Sequence, residues 1–459
     1  MFQQFIILVH HASMLAAASR RDGNPRPWDD RQVDQSAAEV SALAADKAMA
    51  QRLLGWLVPD GDPLVALSAA EVERFCWYEL PRKWHGDTPE QQRAVAVLAA
   101  LLAGAGRVRA AAVCTSATTA QVLAAWQRSE EAGFAAYHKA AAASPTTPPD
   151  VPELSWGQVM GIQEALARAN LEHRLEQALD EGEFDPDART FPAARRRLVQ
   201  HWLTTAQPVF EGRAPLEAVR HERRELWAAA PPAERRALLA AVLPALEESD
   251  AAPVDTAEPL RWLLEQIGDG VTLTQAGYLP RELVAAAFAR YPHWYPIGKG
   301  PRSEADLFQL ADLHELARTH LLVTKRHRTL KLSAAGRAQL RDHQLRQHTA
   351  ALAWLGTTAA ERQVAESALC ALWAEPRPRA DLRDAIHPVL AAGCTHSDGT
   401  AMEGKDTERL LWRFWHTGRE LGYLERERSI DAPISLSATG RPAALAALRL
   451  LAEGPRDHI

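Results

Sequence analysis

Apolar residues recur every three to four positions along most of this chain, and little of it alternates with period two. That pattern predicts a mainly helical protein. Ser36 precedes a periodic stretch ending near Trp56. Ser68 with Glu71 gives a capping-box pattern before a helix ending at Pro81. Thr88 with Gln91, and Pro89 at the first helical position, opens a helix that runs to about Gly104. A further helix is expected from roughly Thr118 to Ala142. The stretch from Ala143 to Asp150 carries Pro145, Pro148 and Pro149 and reads as an extended linker, because proline fixes φ and removes a donor. Helical periodicity resumes from Ser155 to Glu248. Its breaks at Pro192, Pro208, Pro215 and Pro231-Pro232 predict four or five short helices packed as a bundle. A loop from Ser249 to Thr256 follows.

The C-terminal part repeats itself. Leu332-Ser-Ala-Ala-Gly-Arg337 recurs as Leu436-Ser-Ala-Thr-Gly-Arg441, each time after an amphipathic helix and a short β-ribbon. The first copy reads as a helix from Leu260 to Ile267, a short strand at Val271 to Thr274, and a helix opened by Pro280. A third helix, capped by Ser303, runs to Thr319. A ribbon starting at Leu321 and Leu322 returns through Leu330 and Leu332. In the second copy Leu369, Leu372 and Trp373 mark the first helix, Arg383 to Leu390 the second, and Lys405 to Leu421 the third. Tyr423 and Leu424 are aligned with Leu321 and Leu322, which makes the second wing two residues longer. This order of elements describes a winged helix, present twice.

The expected architecture is therefore mainly α: helical N-terminal and middle regions followed by two tandem winged-helix domains, each α with a small β-wing. The boundaries are residues 1–142, a Pro-rich linker at 143–153, a middle bundle at 154–250, and winged helices at 256–345 and 360–452.

Gly270-Val-Thr-Leu-Thr-Gln-Ala-Gly-Tyr-Leu-Pro280, with Leu332 to Arg337 downstream, resembles a segment of mobile-element passenger proteins. These are the plasmid- and transposon-borne, TnpR-like proteins of actinobacteria. The resemblance covers Leu260 to Leu340 and, more faintly, the second repeat. It implies a winged-helix segment and a mobile-element setting, and it transfers no activity. The β-rich core domain usual in that family has no counterpart in the pattern here.

Charge narrows where such a module touches a polyanion. The chain has 459 residues and a net charge of −6, so contact with nucleic acid must be local. A winged helix lays its third helix in the major groove while its wing touches phosphate. In the first copy, residues 303 to 320 hold four acids against Arg318 alone, a balance of −3, whereas the wing carries Lys325, Arg326, Arg328 and Lys331. In the second copy, residues 405 to 420 hold four bases against three acids, a balance of +1. There Lys405, Arg409, Arg413 and His416 are the candidate contacts. Arg409, Arg413 and His416 share one helical face. The wing Glu425-Arg-Glu-Arg428 is neutral.

Other chemistry is thinly signalled. Cys76, Cys114, Cys370 and Cys394 lie far apart without a CxxC pair and read as free thiols in a reducing cytoplasm. Met1 to Ala18 is apolar but lacks a basic start and is interrupted by His10 and His11, so it reads as a first helix or a mis-assigned start rather than a signal peptide. No membrane span, cofactor or metal site is expected. Trp412 and Trp415 are at core spacing, and Gly298-Lys-Gly300 lies among prolines rather than between strand and helix. Arg196 and His201 resemble the Arg-x4-His pair of helical HEPN-type ribonucleases, but i and i+5 align poorly on one helix. No Ser-His-Asp, HExxH or Walker pattern is present. The expected function is a non-enzymatic DNA-binding regulator or mobile-element accessory protein. It would bind double-stranded DNA weakly through Arg409 and Arg413 on a helix and Arg326 and Arg328 on a wing. The alternative is an interaction scaffold whose winged helices bind a protein partner or a second copy of the chain.

Overall fold

The computed structural model describes residues 47–58, 64–84, 86–248, 256–295, 300–425 and 432–456. The expectations for Met1 to Ala18, for the start of the Ser36 stretch, for most of the Ser249 to Thr256 loop, for Gly298 and for the tip of the second wing fall outside those residues. The described chain is mainly helical with one small antiparallel sheet. Among the described residues no helix is long and apolar enough to cross a membrane. The chain divides into two compact units, residues 1–222 with 455–459, and residues 223–454. The boundary falls within the helix Pro215–Ala229 and not at the proline-rich segment.

The first unit follows its capping signals closely. Ser68 and Glu71 form the capping box of Ala69–Arg74. The chain then widens into a π-helical turn over Phe75–Glu79 and ends at Lys83, beyond the expected stop at Pro81. The cause is local. Pro81 has no N–H to give the Trp77 carbonyl, and that carbonyl instead accepts the indole N–H of Trp126 at 2.9 Å. Asp87, not Thr88, caps the helix Thr88–Gly104. The single helix expected from Thr118 to Ala142 is two, Ala117–Arg128 and Glu130–Ala143, because Ser129 turns extended and caps the second.

The proline-rich segment is packed rather than free. Ser144 is 4% exposed and Thr146 1%. Both hydroxyls donate to the buried Glu73 carboxylate, at 2.9 and 3.4 Å, and Arg195 donates to the Ser144 carbonyl at 2.6 Å. Prolines exclude helix here, but two hydroxyls and one carbonyl tie the strip to its neighbours.

In the second unit we label α1 Glu258–Ile267, β1 Val271–Thr272, α2 Arg281–Arg290, α3 Phe308–Thr319, β2 Val323–Arg326, β3 Thr329–Leu332, α4 Ala334–Arg341, α5 His343–Leu355, α6 Ala359–Ala374, α7 Arg379–Gly393, α8 Gly404–Glu420 and α9 Gly440–Glu453. The sheet order is β1-β3-β2, with Val271 opposite Leu330 and Val323 opposite Leu332. The second repeat makes the same connections by single bridges: Arg377 pairs with Ile434 and Leu424 with Leu436. One continuous apolar core runs from Trp227 to Ala452 through both repeats. The repeats, together with the helices Ala233–Leu239 and Leu243–Glu247, thus share one interior.

The structure corrects the alignment of the repeats by one residue. α3 ends in a Schellman cap: Leu322 N–H reaches the Ala317 carbonyl at 2.8 Å and Leu321 N–H the Arg318 carbonyl at 3.0 Å, with Leu321 at φ 54°. α8 ends identically, with Tyr423 N–H on Gly418 at 2.7 Å, Gly422 N–H on Arg419 at 3.1 Å, and Gly422 at φ 76°. Leu321 therefore corresponds to Gly422, and Leu322 to Tyr423. The ribbon begins only at Val323, and the stretch from Tyr423 to Leu436 is three residues longer than that from Leu322 to Leu332, not two.

Candidate nucleic-acid interface

The first hairpin holds four of the candidate cations. Its strands are in register from Val323 opposite Leu332 to Arg326 opposite Thr329, leaving His327 and Arg328 as the turn, with His327 at φ 55°. Alternation places Leu330 and Leu332 in the core and leaves Lys331 in solvent. Arg326 and Lys331 project from one face of the ribbon, and Lys325 from the other. All three are exposed and make no hydrogen bond or ion pair among the described residues.

Arg328 is different. Its Nε and Nη2 both donate to the Leu273 carbonyl, at 3.0 and 2.8 Å, while Leu273 N–H donates to the Arg328 carbonyl at 2.7 Å. Arg328 braces the hairpin to the chain after β1, with two of its three guanidinium nitrogens engaged there.

The second set lies on α8, whose start is well anchored. Glu403 and Asp406 form its capping box, and the buried Asp406 also meets His396 Nε2 at 3.1 Å. α3 is seated by a comparable pair, buried Glu304 with His314 Nδ1 at 2.8 Å. Each α8 candidate has a partner. Lys405 pairs with Glu403 at 2.8 Å, Arg409 with Asp406 at 3.4 Å and Arg413 with Glu361 at 3.2 Å. Lys405 and Arg409 remain largely in water, where such pairs are worth little. Arg413 is 38% exposed in its side chain. His416 lies against the rings of Trp412 at 4.3 Å and Phe308 at 5.7 Å, and burial lowers its pKa.

Arg413 and His416 face a cleft of about 620 Å³ between α3 and α8. Its other walls include Phe308, Asp312, Glu315, Trp412 and Glu420. These faces of α3 and α8 are thus turned toward a common space lined by acids and by Arg413, His320 and His416. Sequence spacing could place Arg413 and His416 on one face, but it could not show that α3 supplies acids opposite them. Trp415 is core, as its spacing implied, whereas Trp412 is 50% exposed above the cleft. Phe308, which also lines the cleft, is 47% exposed.

The remaining candidates stay apart. Arg196 and His201 are exposed on the helix Phe191–Thr204, and the nearest described partner of the His201 imidazole is the Thr205 hydroxyl at 3.5 Å. Cys76 and Cys114, distant in sequence, share a hydrogen bond with their sulfurs 3.9 Å apart, both buried and without a disulfide; this neighbour and then burial hold the Cys76 thiol well above its usual range. No family model, no curated protein and no solved structure matches this chain.

Proposed function

We propose that each C-terminal repeat is a winged helix and that the chain is a non-enzymatic binding protein which contacts the backbone of duplex DNA through its first wing. The observation that carries this reading is the exposed hairpin bearing Lys325, Arg326 and Lys331 without counter-charges. Three such cations neutralise about three phosphates, which makes binding weak, salt-dependent and indifferent to sequence. Base readout by α3 or α8 is disfavoured, because both helices turn toward a cleft whose walls carry Asp312 and Glu315, and these carboxylates repel a polyanion there. Arg413 and His416 therefore leave the proposed contact set, and Arg328, Lys405 and Arg409 are peripheral to it.

The test is titration of a labelled duplex with the full chain at low salt. The reading requires equal affinity for two unrelated duplex sequences and loss of binding on charge reversal by Lys325→Glu with Arg326→Glu. A wild type that binds neither duplex would transfer the function to a protein partner. That second reading is favoured by one observation, the half-exposed Phe308 and Trp412, which both line the cleft and both meet the His416 ring.

A further inference from the structure

The cleft between α3 and α8 ends in three groups that sequence analysis did not connect. His416 and Glu420 are one turn apart on α8, and Asp312 comes from α3 in the other repeat. One donor atom from each lies within 4.8 Å of the other two. Glu420 is only 4% exposed, yet its Oε1 has no hydrogen-bond partner, and the His416 Nε2 is likewise buried without one. The His416 Nδ1 to Glu420 Oε1 distance, 3.8 Å, is too long for a hydrogen bond. Buried polar atoms without partners are costly and rare, and these two lie one turn apart on α8 beside a carboxylate of α3.

We propose that Asp312, His416 and Glu420 bind a divalent first-row transition-metal ion, with a coordination position left open toward the cleft. The donor set is two carboxylates and one imidazole, which suits zinc, manganese, iron or cobalt rather than calcium or magnesium. Bonds of about 2 Å to one ion place donor atoms about 3 to 4 Å apart. Asp312 is exposed, so a side-chain rotation closes the remaining gap.

The nearby cations do not fill the site. Arg413 is paired with Glu361, and the Arg419 guanidinium lies over the Trp415 ring at 4.7 Å. An ion here joins α3 to α8 and so fixes one repeat against the other. This inference stands whether or not the wing contacts DNA.

The experiment is equilibrium dialysis of the chelator-treated full chain against Co²⁺ and Zn²⁺ near pH 7.5. It is run on the wild type, Asp312→Asn and Glu420→Gln, with visible absorption of the cobalt forms and a circular dichroism check of folding. The wild type should retain one more equivalent of each ion than either variant and show a cobalt ligand-field band that both variants lack. If all three proteins retain the same number of ions with the same cobalt spectrum, or the wild type retains none, the site does not exist. Asp312 is on the surface, so its variant keeps the comparison decisive even if Glu420→Gln fails to fold.

Discussion

Gly336 and Gly440 occupy the same place in the two repeats, each pressed against the residue that follows the cap of α3 or α8. A Cβ on Gly336 would lie 2.1 Å from the Leu322 carbonyl oxygen, and one on Gly440 would lie 1.8 Å from that of Tyr423. The serine three residues earlier completes the joint. Ser333 donates to the Leu321 carbonyl at 2.7 Å and accepts from Gly336 N–H at 3.0 Å. Ser437 does the same with Gly422 and Gly440, at 2.8 and 3.0 Å. The recurring hexapeptide is thus a backbone clasp between the ribbon and the next helix. Its identity across the repeats follows from contact distance.

That relationship sets the first prediction. Gly336→Ala and Gly440→Ala should each destabilise the chain by about 1–3 kcal/mol, since a backbone carbonyl cannot move aside as a side chain can. Gly404 opens α8 with nothing within 4 Å of its added Cβ, so Gly404→Ala should be neutral or slightly stabilising. Urea midpoints of the three variants check this. Equal effects at Gly336 and Gly404 would remove the clasp.

A second prediction concerns the cap where the repeats differ in residue type. Leu321 carries a positive φ and is 74% exposed, so it accepts the strain without a compensating contact. Leu321→Gly should stabilise by about 0.5–1 kcal/mol, and Gly422→Ala should destabilise by about 1 kcal/mol. Thermal midpoints moving in the same direction for both variants would contradict the correspondence of Leu321 with Gly422.

The same pair shows what sequence could and could not convey. Helix periodicity, the Ser68 cap and the ribbon alternation are legible because they are local, whereas Ser303 caps only the 3-10 turn Glu304–Asp306 and not the helix expected from Glu304 to Thr319, which begins at Phe308. Leu321 looked like the start of a strand because it is apolar, whereas its twin Gly422 displayed the cap openly. The packing of Ser144 and Thr146 depends on Glu73, and the loss of Arg413 to Glu361 depends on α6. Asp312 reaches His416 and Glu420 only because two repeats share one core. Such pairings have no signature in spacing.

A third prediction tests that shared core. Arg235 and Glu366 form a two-point ion pair at 2.7 and 2.8 Å, each about 8% exposed, with the Trp227 indole also donating to Glu366 at 2.5 Å. Glu366→Ala leaves a buried guanidinium without its carboxylate and should cost about 3–5 kcal/mol. If the pair ties the preceding helices to the repeats, denaturation followed by tryptophan fluorescence and by circular dichroism should shift together. A loss below about 1 kcal/mol would mean that water reaches Arg235.

The proposed DNA contact assigns the work to one hairpin and removes it from the helix that charge patterning favoured. The most direct test is the slope of log affinity against log salt for the full chain on a short duplex. We expect a wild-type slope of about −2 to −3, matching two or three phosphate contacts. Lys325→Ala, Arg326→Ala and Lys331→Ala combined should flatten it toward zero and abolish measurable binding at moderate salt, while Arg409→Ala with Arg413→Ala should leave slope and affinity unchanged. A wild type that fails to bind at low salt, or a helix variant that flattens the slope while the wing variant does not, would contradict the wing as the DNA contact.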